Sequence, residues 1–418
     1  MFLNKAKYKI YRLLRLSEKF TKTDMVYLAK GGTLILLGQI ISVLMGLTVS
    51  TGFANLIPKN VFGNYCFIIS LAGIIGTFTL TGMRTAIAQS VSRGYEGTLK
   101  VGFRIRLKWN LFASLFTFGI SAYYAVNNNM ALSTSFLIIA FFMPFRDSAA
   151  LYSPFLAGKR LFGIRMLFNS LWNIITAIVL LTTISVTHNV AMIILSSFVT
   201  GTVLASLFYI ITLKRYVTKE SIDYSSISYA KYLSIINIVG SLSSYIDKVL
   251  IFKFFGATEL AVYSFSTSPV THLRGGGKLL RTLSMPKFSV MELTNIKKTL
   301  FLKIFYLFIF YTFITFLYIL SAPYIYNSFF PEYIESVRFS QIYALGLLTA
   351  PISILSNAFV AHKKTREIYY INIIIPLMRI ILLIVLAPIY GIWGAVIALL
   401  VSHIFNAGLT IFLFKRMQ

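Results

Sequence analysis

Apolar runs long enough to cross a hydrocarbon layer follow one another through almost the whole chain of 418 residues. A spanning helix needs about 20 mostly apolar residues. Twelve such runs are read at 31–52, 62–83, 109–126, 131–153, 166–187, 190–212, 232–254, 258–280, 301–321, 339–361, 367–387 and 391–413. The expected fold class is therefore an all-α polytopic membrane protein with about 12 transmembrane helices. With 57% hydrophobic residues and 12% charged ones, a soluble chain could not cover its own surface, and that class is excluded. Glycine interrupts several runs, as at Gly31-Gly32 and Gly275-Gly276-Gly277. Interruptions of this kind are tolerated where neighbouring helices or a lined cavity satisfy the backbone. They predict a bundle with an interior path.

The charge balance pulls in another direction. Lys and Arg number 39 against 12 Asp and Glu, a net charge of +27, which taken alone would point to a nucleic-acid partner. Position decides otherwise. Thirty-two of the 39 bases fall in the N-terminal segment and the alternate loops, and only Lys59, Lys253 and Arg338 fall in the opposite loops. By the positive-inside rule this makes a multi-pass membrane protein with both termini cytoplasmic, and no nucleic acid is needed to explain the charge. Residues 1–30 form a basic cytoplasmic N-terminal segment. Its stretch 5–20 reads equally as an interfacial helix on anionic lipid or as a basic topogenic tail. The single cysteine, Cys66, lies in an apolar run and reads as core. The four histidines are dispersed without metal-ligand spacing, so neither a metal nor another cofactor is expected.

Short motifs recur at an offset near half the chain length. Phe62-Gly63-Asn64-Tyr65-Cys66-Phe67 is matched by Leu260-Ala261-Val262-Tyr263-Ser264-Phe265, and Arg84-Thr85 by Arg281-Thr282. Phe155-Leu156-Ala157-Gly158-Lys159-Arg160 is matched by Phe359-Val360-Ala361-His362-Lys363-Lys364. The repeat predicts two six-helix lobes, 31–212 and 229–418, joined by a cytoplasmic linker at 213–228. An even number of spans per repeat keeps the lobes parallel, related by an axis along the membrane normal, with the cleft between them as the expected transport path.

Several of these segments resemble a known family. Lys30-Gly31-Gly32 before a Gly38-Gln39 helix, Phe62-Gly63-Asn64-Tyr65, Tyr245-Ile246-Asp247-Lys248, and Tyr390-Gly391-Ile392-Trp393-Gly394-Ala395 are similar to segments of Wzx-type polysaccharide flippases. Those flippases belong to the multidrug/oligosaccharidyl-lipid/polysaccharide (MOP) exporter superfamily. The resemblance implies alternating access by the two lobes. It implies an undecaprenyl-diphosphate-linked oligosaccharide repeat unit moved from the cytoplasmic to the outer leaflet, for O-antigen, lipopolysaccharide or another surface polysaccharide. It also implies a bacterial inner membrane, contact with membrane lipids, and the pathway's polymerase and chain-length proteins as partners.

Four bases, Arg146, Lys248, Arg274 and Arg379, and two acids, Asp147 and Asp247, lie within the spans. Ionisable groups there are costly and usually face the bundle interior. Arg146, Arg274 and Arg379, with the repeat-related pair Arg84 and Arg281, are the candidate substrate-binding residues, since guanidinium groups hold phosphate oxygens bidentately. Snorkelling to the headgroups is the competing reading for Arg84 and Arg281, and neutralisation by Asp147 the competing one for Arg146. Asp247, Lys248 and Asp147 are candidates for proton or sodium coupling or for interlobe pairing. An integral membrane glycan polymerase or acyltransferase would need an acid, base or nucleophile at the outer face. The longest outer loop, 322–338, offers only Glu332 and Glu335, so the chain is not expected to be an enzyme. An ion-coupled multidrug exporter, with cationic substrates, is disfavoured by the excess of bases over acids in the spans.

Overall fold

The computed structural model describes residues 25–288, 293–362 and 364–416, with side chains from 37 to 275 and over most of 300–416. The basic segment before residue 25, including the stretch 5–20, and the side chain of Arg281 lie outside the described residues. Every regular element among those described is helical. Helices α1 (Met25–Leu56), α2 (Lys59–Thr77), α3 (Met83–Ser92), α4 (Thr98–Val126), α5 (Met130–Ala149), α6 (Tyr152–Gly158), α7 (Phe162–Val186) and α8 (Val190–Tyr216) precede a short extended stretch. Helices α9 (Tyr224–Ser243), α10 (Ile246–Phe288), α11 (Leu293–Phe329), α12 (Ser336–Ala344), α13 (Leu355–Ala361) and α14 (Thr365–Arg416) follow it. The segment Leu345–Ile354, between α12 and α13, is a 3-10 helix.

Nine segments among the described residues are long and apolar enough to span a membrane, and two of them, at 52 and 51 residues, are double-length. These turn back at Gly256 (φ 85°) and Gly391 (φ 61°), where a side chain on the α-carbon would be strained. The run read at 109–126 lies in the 29-residue helix α4, whose first turns carry Lys100, Arg104, Arg106 and Lys108.

Breaks in the spans do not fall at the glycine runs. Backbone helix continues through Gly31-Gly32 and through Gly275-Gly276-Gly277. It stops instead at Thr77, at Ala149 and at Ser243, and tightens to 3-10 at Leu345. Hydroxyl groups that bond back to nearby carbonyls crowd three of these four places. Thr77 Oγ1 donates to the Ile74 carbonyl (2.7 Å), Thr79 Oγ1 to Gly76 (2.8 Å), Ser243 and Ser244 to Gly240, and Thr349 to Gly346. Such back-bonding competes with the helical ladder and offers carbonyls a partner where water is absent. Pro144 lies one turn before the break at Ala149, and Pro351 lies within the 3-10 segment. A glycine in helical conformation keeps its own N–H and carbonyl in the ladder; among the described helices only Gly256 and Gly391, with positive φ, interrupt it. The second run, expected to reach residue 83, thus ends at Thr77, and Arg84 opens the separate helix α3.

A seam joins α2, near the start of the chain, to α9 and α10, in its middle. Gly63 of α2 lies so close to α10 that an added Cβ would come 1.8 Å from the Ala257 carbonyl oxygen. Phe67 stacks on Phe252 with ring centroids 3.8 Å apart, and Phe62 meets Phe265 at 4.9 Å. Further along, Gly73 faces the Tyr245 ring, and the Gly82 N–H donates to Ser234 Oγ of α9 (2.9 Å). At the end remote from the basic loops a second set of contacts closes the bundle. Asn55 donates to the Phe329 carbonyl (2.9 Å) and Lys59 pairs with Glu335 (2.7 Å). Phe53, Phe62, Tyr65, Phe265, Phe330 and Tyr333 pack there ring against ring. The exposed Lys59–Glu335 pair stabilises by only about 0.2–1 kcal/mol, so the aromatic cluster does most of the sealing.

At the basic end the stretch between α8 and α9 is strapped to the loop before α4. Buried Glu96 accepts from the Thr218 N–H (2.6 Å), Thr218 Oγ1 (3.1 Å) and the Lys219 N–H (3.3 Å), and pairs with Lys159 (2.9 Å). Asp223 caps α9 through the Ser226 N–H (3.2 Å) and pairs with Arg93 (3.3 Å). Burial pushes the Glu96 carboxyl up, but the Thr218 and Lys219 N–H groups and the Lys159 ammonium outweigh it and hold it below its ordinary value. The Ser225 and Ser226 hydroxyls, with smaller help from the Ser226 N–H and Arg93, lower Asp223 to about 2.

Two outcomes follow. Gly63→Ala forces α2 off α10, and an overpacking cost of about 1–3 kcal/mol lowers the melting temperature of the purified protein. Gly119→Ala, with nothing near the added carbon, leaves it unchanged. Both strap carboxylates are depressed, so their stabilisation is present above the ordinary carboxylate range and is lost as pH falls through their folded-state values. Protection of 217–226 from hydrogen exchange, corrected for intrinsic rate, holds from pH 7 to about 5 and declines below about 4. Glu96→Gln shows that loosening already at pH 7.

Candidate functional site

The broken ends of α2 and α5 deliver charge to the interior. Arg84 follows the break at Phe78–Gly82, and Arg146 and Asp147 occupy the last turn of α5. All three line two adjoining cavities. One, of about 310 Å³, lies against Gly73, Gly76 and Thr77 of α2 and Ser241 and Tyr245 of α9–α10. The other, of about 380 Å³, reaches Ser42 of α1 and Asn169, Trp172 and Asn173 of α7. The first therefore borders helices on both sides of the 217–223 stretch, while the second lies wholly among helices before residue 217.

Arg146 is held by aromatic faces. Its guanidinium lies 4.6 Å from the Phe198 ring centroid and 6.0 Å from that of Trp172. Gly201 leaves room for it, since a Cβ there would approach Arg146 Nε to 3.2 Å. Among the described residues no carboxylate comes within ion-pair distance of Arg84 or Arg146. Asp147 makes no ion pair with its neighbour, adjacent helical residues pointing about 100° apart, although both line the cavities. Asn173 Nδ2 donates to Ser42 Oγ (2.6 Å) and Arg165 Nε to Ser153 Oγ (3.2 Å), so the remaining wall is hydrogen-bonded and polar. Cation–π contact and stacking fix a guanidinium without cancelling its charge. The cavity thus presents preorganised donors suited to an anion.

The candidates of the second half are arranged differently. Asp247, 5% exposed, accepts from Tyr263 Oη (2.8 Å) and from Arg379 Nη2 (3.1 Å). Arg379 has no acid nearby on its own helix, yet a carboxylate reaches it from α10. This pairing joins two helices that both follow residue 224, so it does not bridge the expected lobes. Lys248 makes no ion pair among the described residues. Arg274 Nη2 meets Thr349 Oγ1 at 3.4 Å. The expected arginines therefore form no single route. Arg84 and Arg146 share the cavities, whereas Arg274 and Arg379 lie apart from them, the latter neutralised.

Arg106 was counted among the loop charges in the sequence, but it is buried within α4, although it lines neither cavity. It is 5% exposed, on the face of α4 that also buries Thr98, Gly102, Asn110, Thr117 and Ser121. The signal is present in the sequence as Gly, Arg and Asn at four-residue spacing, a polar stripe continuing into the span. No group of His, Cys, Asp and Glu among the described residues could hold a metal ion.

Residues 28–292 match the family model described as polysaccharide biosynthesis protein. Among solved structures, the chain resembles the inward-facing conformation of a multidrug resistance MATE family transporter of the MOP superfamily. The two are 14% identical with a TM-score of 0.64, over 92% of this chain and 97% of that one. The outward-facing conformation of such a transporter matches at 14% identity and a TM-score of 0.62, over 93% and 95%. A MOP superfamily transporter from Pyrococcus furiosus, reported with a binding pocket of reverse polarity, matches at the same identity, score and coverage. No curated protein matches the chain. The solved structures establish the MATE-like fold, and since the family model spans well over half of the sequence, the chain belongs to the polysaccharide biosynthesis protein family.

Proposed function

We propose that the protein is a flippase for an anionic, lipid-linked oligosaccharide. In this reading it carries an undecaprenyl-diphosphate-linked repeat unit from the cytoplasmic to the outer leaflet, for O-antigen or another surface polysaccharide. The observation that carries it is the Arg84–Arg146 cavity, where two guanidinium groups without carboxylate partners among the described residues face a space bordered by helices from both sides of the 217–223 stretch. Arg84 is exposed, but Arg146 is partly withdrawn from solvent, and an unpaired charge so placed is costly to maintain. A diphosphate repays that cost on arrival, with charge-assisted, bidentate hydrogen bonds. A cationic drug would meet repulsion at the same place.

The membrane placement belongs to the same proposal. The basic loops mark the cytoplasmic face of the inner membrane, and the aromatic seal lies at the outer face. The two lobes, 31–212 and 229–418, rock about the α2–α10 seam, and the conformation described here is closed outward. The Asp247–Arg379 pair is the charged device on which a coupling proton or sodium ion acts, since neutralising or capturing Asp247 would release Arg379. Transport of a preassembled unit requires no acid–base or nucleophilic residue at the outer face, which is consistent with a non-enzyme.

In a deletion strain, lipid-linked repeat units should accumulate facing the cytoplasm. Single units accumulating on the outer face would instead identify a polymerase. Arg146→Ala should lower export at least about tenfold, while Arg146→Lys, keeping charge but not the planar stacking fork, should recover part of it; surface polysaccharide per cell reads both. Asp247→Asn should lower export comparably and leave the remainder insensitive to collapse of either ion gradient. Full, gradient-dependent export by Asp247→Asn would refute the coupling role.

A further inference from the structure

An anion alone leaves part of the second cavity unexplained. Helix α7 carries Asn169, Trp172 and Asn173 at i, i+3 and i+4 spacing, which places them on one face. All three line the cavity of about 380 Å³, together with Ser42 of α1 and with Arg84, Arg146 and Asp147. The wall is braced from two sides. Asn173 Nδ2 donates to Ser42 Oγ (2.6 Å), and Arg165 Nε, one turn before Asn169, donates to Ser153 Oγ of α6 (3.2 Å). The Asn169 amide, the Asn173 carbonyl oxygen and the Asp147 carboxylate make no hydrogen bond or ion pair with any described residue. An amide both donates and accepts, whereas an ionised carboxylate only accepts. That carboxylate opposes a phosphate but suits a hydroxyl. Arg146 stands where the two cavities meet. Its guanidinium lies 4.6 Å from the ring centroid of Phe198, which lines the first, and 6.0 Å from that of Trp172, which lines the second. The first cavity has Ile69, Ala72 and Met143 in its wall, the second the two amides.

We infer that the second cavity is a sugar subsite, in which Asn169, Asn173 and Asp147 bind the hydroxyl groups of the pyranose ring joined to the phosphate that Arg84 and Arg146 hold. The inference rests on the anionic-substrate reading of the cavities and deepens it by naming what the phosphate is attached to. Trp172 supplies an apolar ring surface beside Arg146, against which the C–H face of a pyranose packs. A volume of about 380 Å³ lies near the lower end of small-molecule sites, about 300–1,000 Å³. It takes one ring rather than a whole repeat unit, so the rest of the glycan lies outside it. A site built to hydrogen-bond a hydroxyl rejects a ligand that lacks it, because its own polar groups are then left unpaired. The arginines thus hold what every phosphate-bearing substrate shares, and the α7 face tells one sugar from another.

The test uses the full chain purified in detergent and titrated by calorimetry, with size-exclusion chromatography to confirm folding. The probes are inorganic phosphate, glycerol phosphate, and the anomeric phosphates of glucose, galactose, N-acetylglucosamine and N-acetylgalactosamine. At least one sugar phosphate is expected to bind about tenfold more tightly than inorganic phosphate, the gain of one or two well-made hydrogen bonds. Asn169→Leu, close in size, is expected to remove most of that advantage while changing the affinity for inorganic phosphate by less than about threefold. A merely structural asparagine would move both ligands together. The comparison of ligands on the unaltered protein carries the test if Asn169→Leu does not fold. Arg146-dependent phosphate binding in which no sugar phosphate reaches the tenfold margin, or a sugar advantage that survives Asn169→Leu, overturns this inference and leaves the anionic reading standing. Glycerol phosphate bound as tightly as the best sugar phosphate assigns the cavity to a lipid headgroup and overturns it likewise. Failure of every phosphate to bind, or binding that is the same in Arg146→Ala as in the unaltered protein, overturns both.

Discussion

Inside a hydrocarbon layer a backbone carbonyl has no water to turn to, and the placement of every charge in this protein depends on that constraint. A span can be broken only where something else accepts or donates in place of the ladder. Here serine and threonine hydroxyls do so at Thr77–Thr79, at Ser243–Ser244 and at Thr349. These breaks are what let polar side chains enter the bundle. Arg84 stands just past the first, Tyr245 sits at the second, and Arg146 and Asp147 precede the proline-marked end of α5. The cavities lie where broken helices meet.

The same constraint explains why the seam is built from small residues and rings. Apolar surface gains little from leaving lipid for protein, so helix association in a membrane relies on close packing. Gly63 against the Ala257 carbonyl and Phe67 stacked flat on Phe252 supply it. The ion pair at the closed end adds little by comparison. A seam held by shape can pivot without breaking a costly polar bond, and a seal of rings at one end can part without exposing an unpaired charge.

That the chain is a succession of apolar, membrane-length helices was legible because apolar length is a property of consecutive residues, whereas the twelve runs read there correspond to nine segments among the described residues, two of them double-length. The repeat brought Phe62 and Phe265 into view, and the fold sets those rings 4.9 Å apart. The breaks were misplaced because glycine looks like an interruption in a hydropathy scan, whereas hydroxyl back-bonding is visible only once a backbone exists. The Asp247–Arg379 pair was hidden for a different reason: its members are 132 residues apart, and only the packing of α10 on α14 joins them. Arg106 was within reach. Counted as one more loop charge, it hid a four-residue spacing with Gly102 and Asn110 that marks a buried face.

The repeat duplicates the rings and the turns but not the charge. Tyr65, at the first copy, packs within the aromatic seal, while its counterpart Tyr263 donates to Asp247 beside Arg379. The first half keeps Arg84 and Arg146 unpaired in cavities, whereas the second half ties Arg379 to a carboxylate and Arg274 to a hydroxyl. Two equal cationic halves would repel each other across the cleft and hold an anion equally from both sides, resisting its release. The second half keeps Arg274 and Lys248 charged but away from both cavities, so in the proposed transport an anion bound at Arg84 and Arg146 is held from one side and can be let go toward the other.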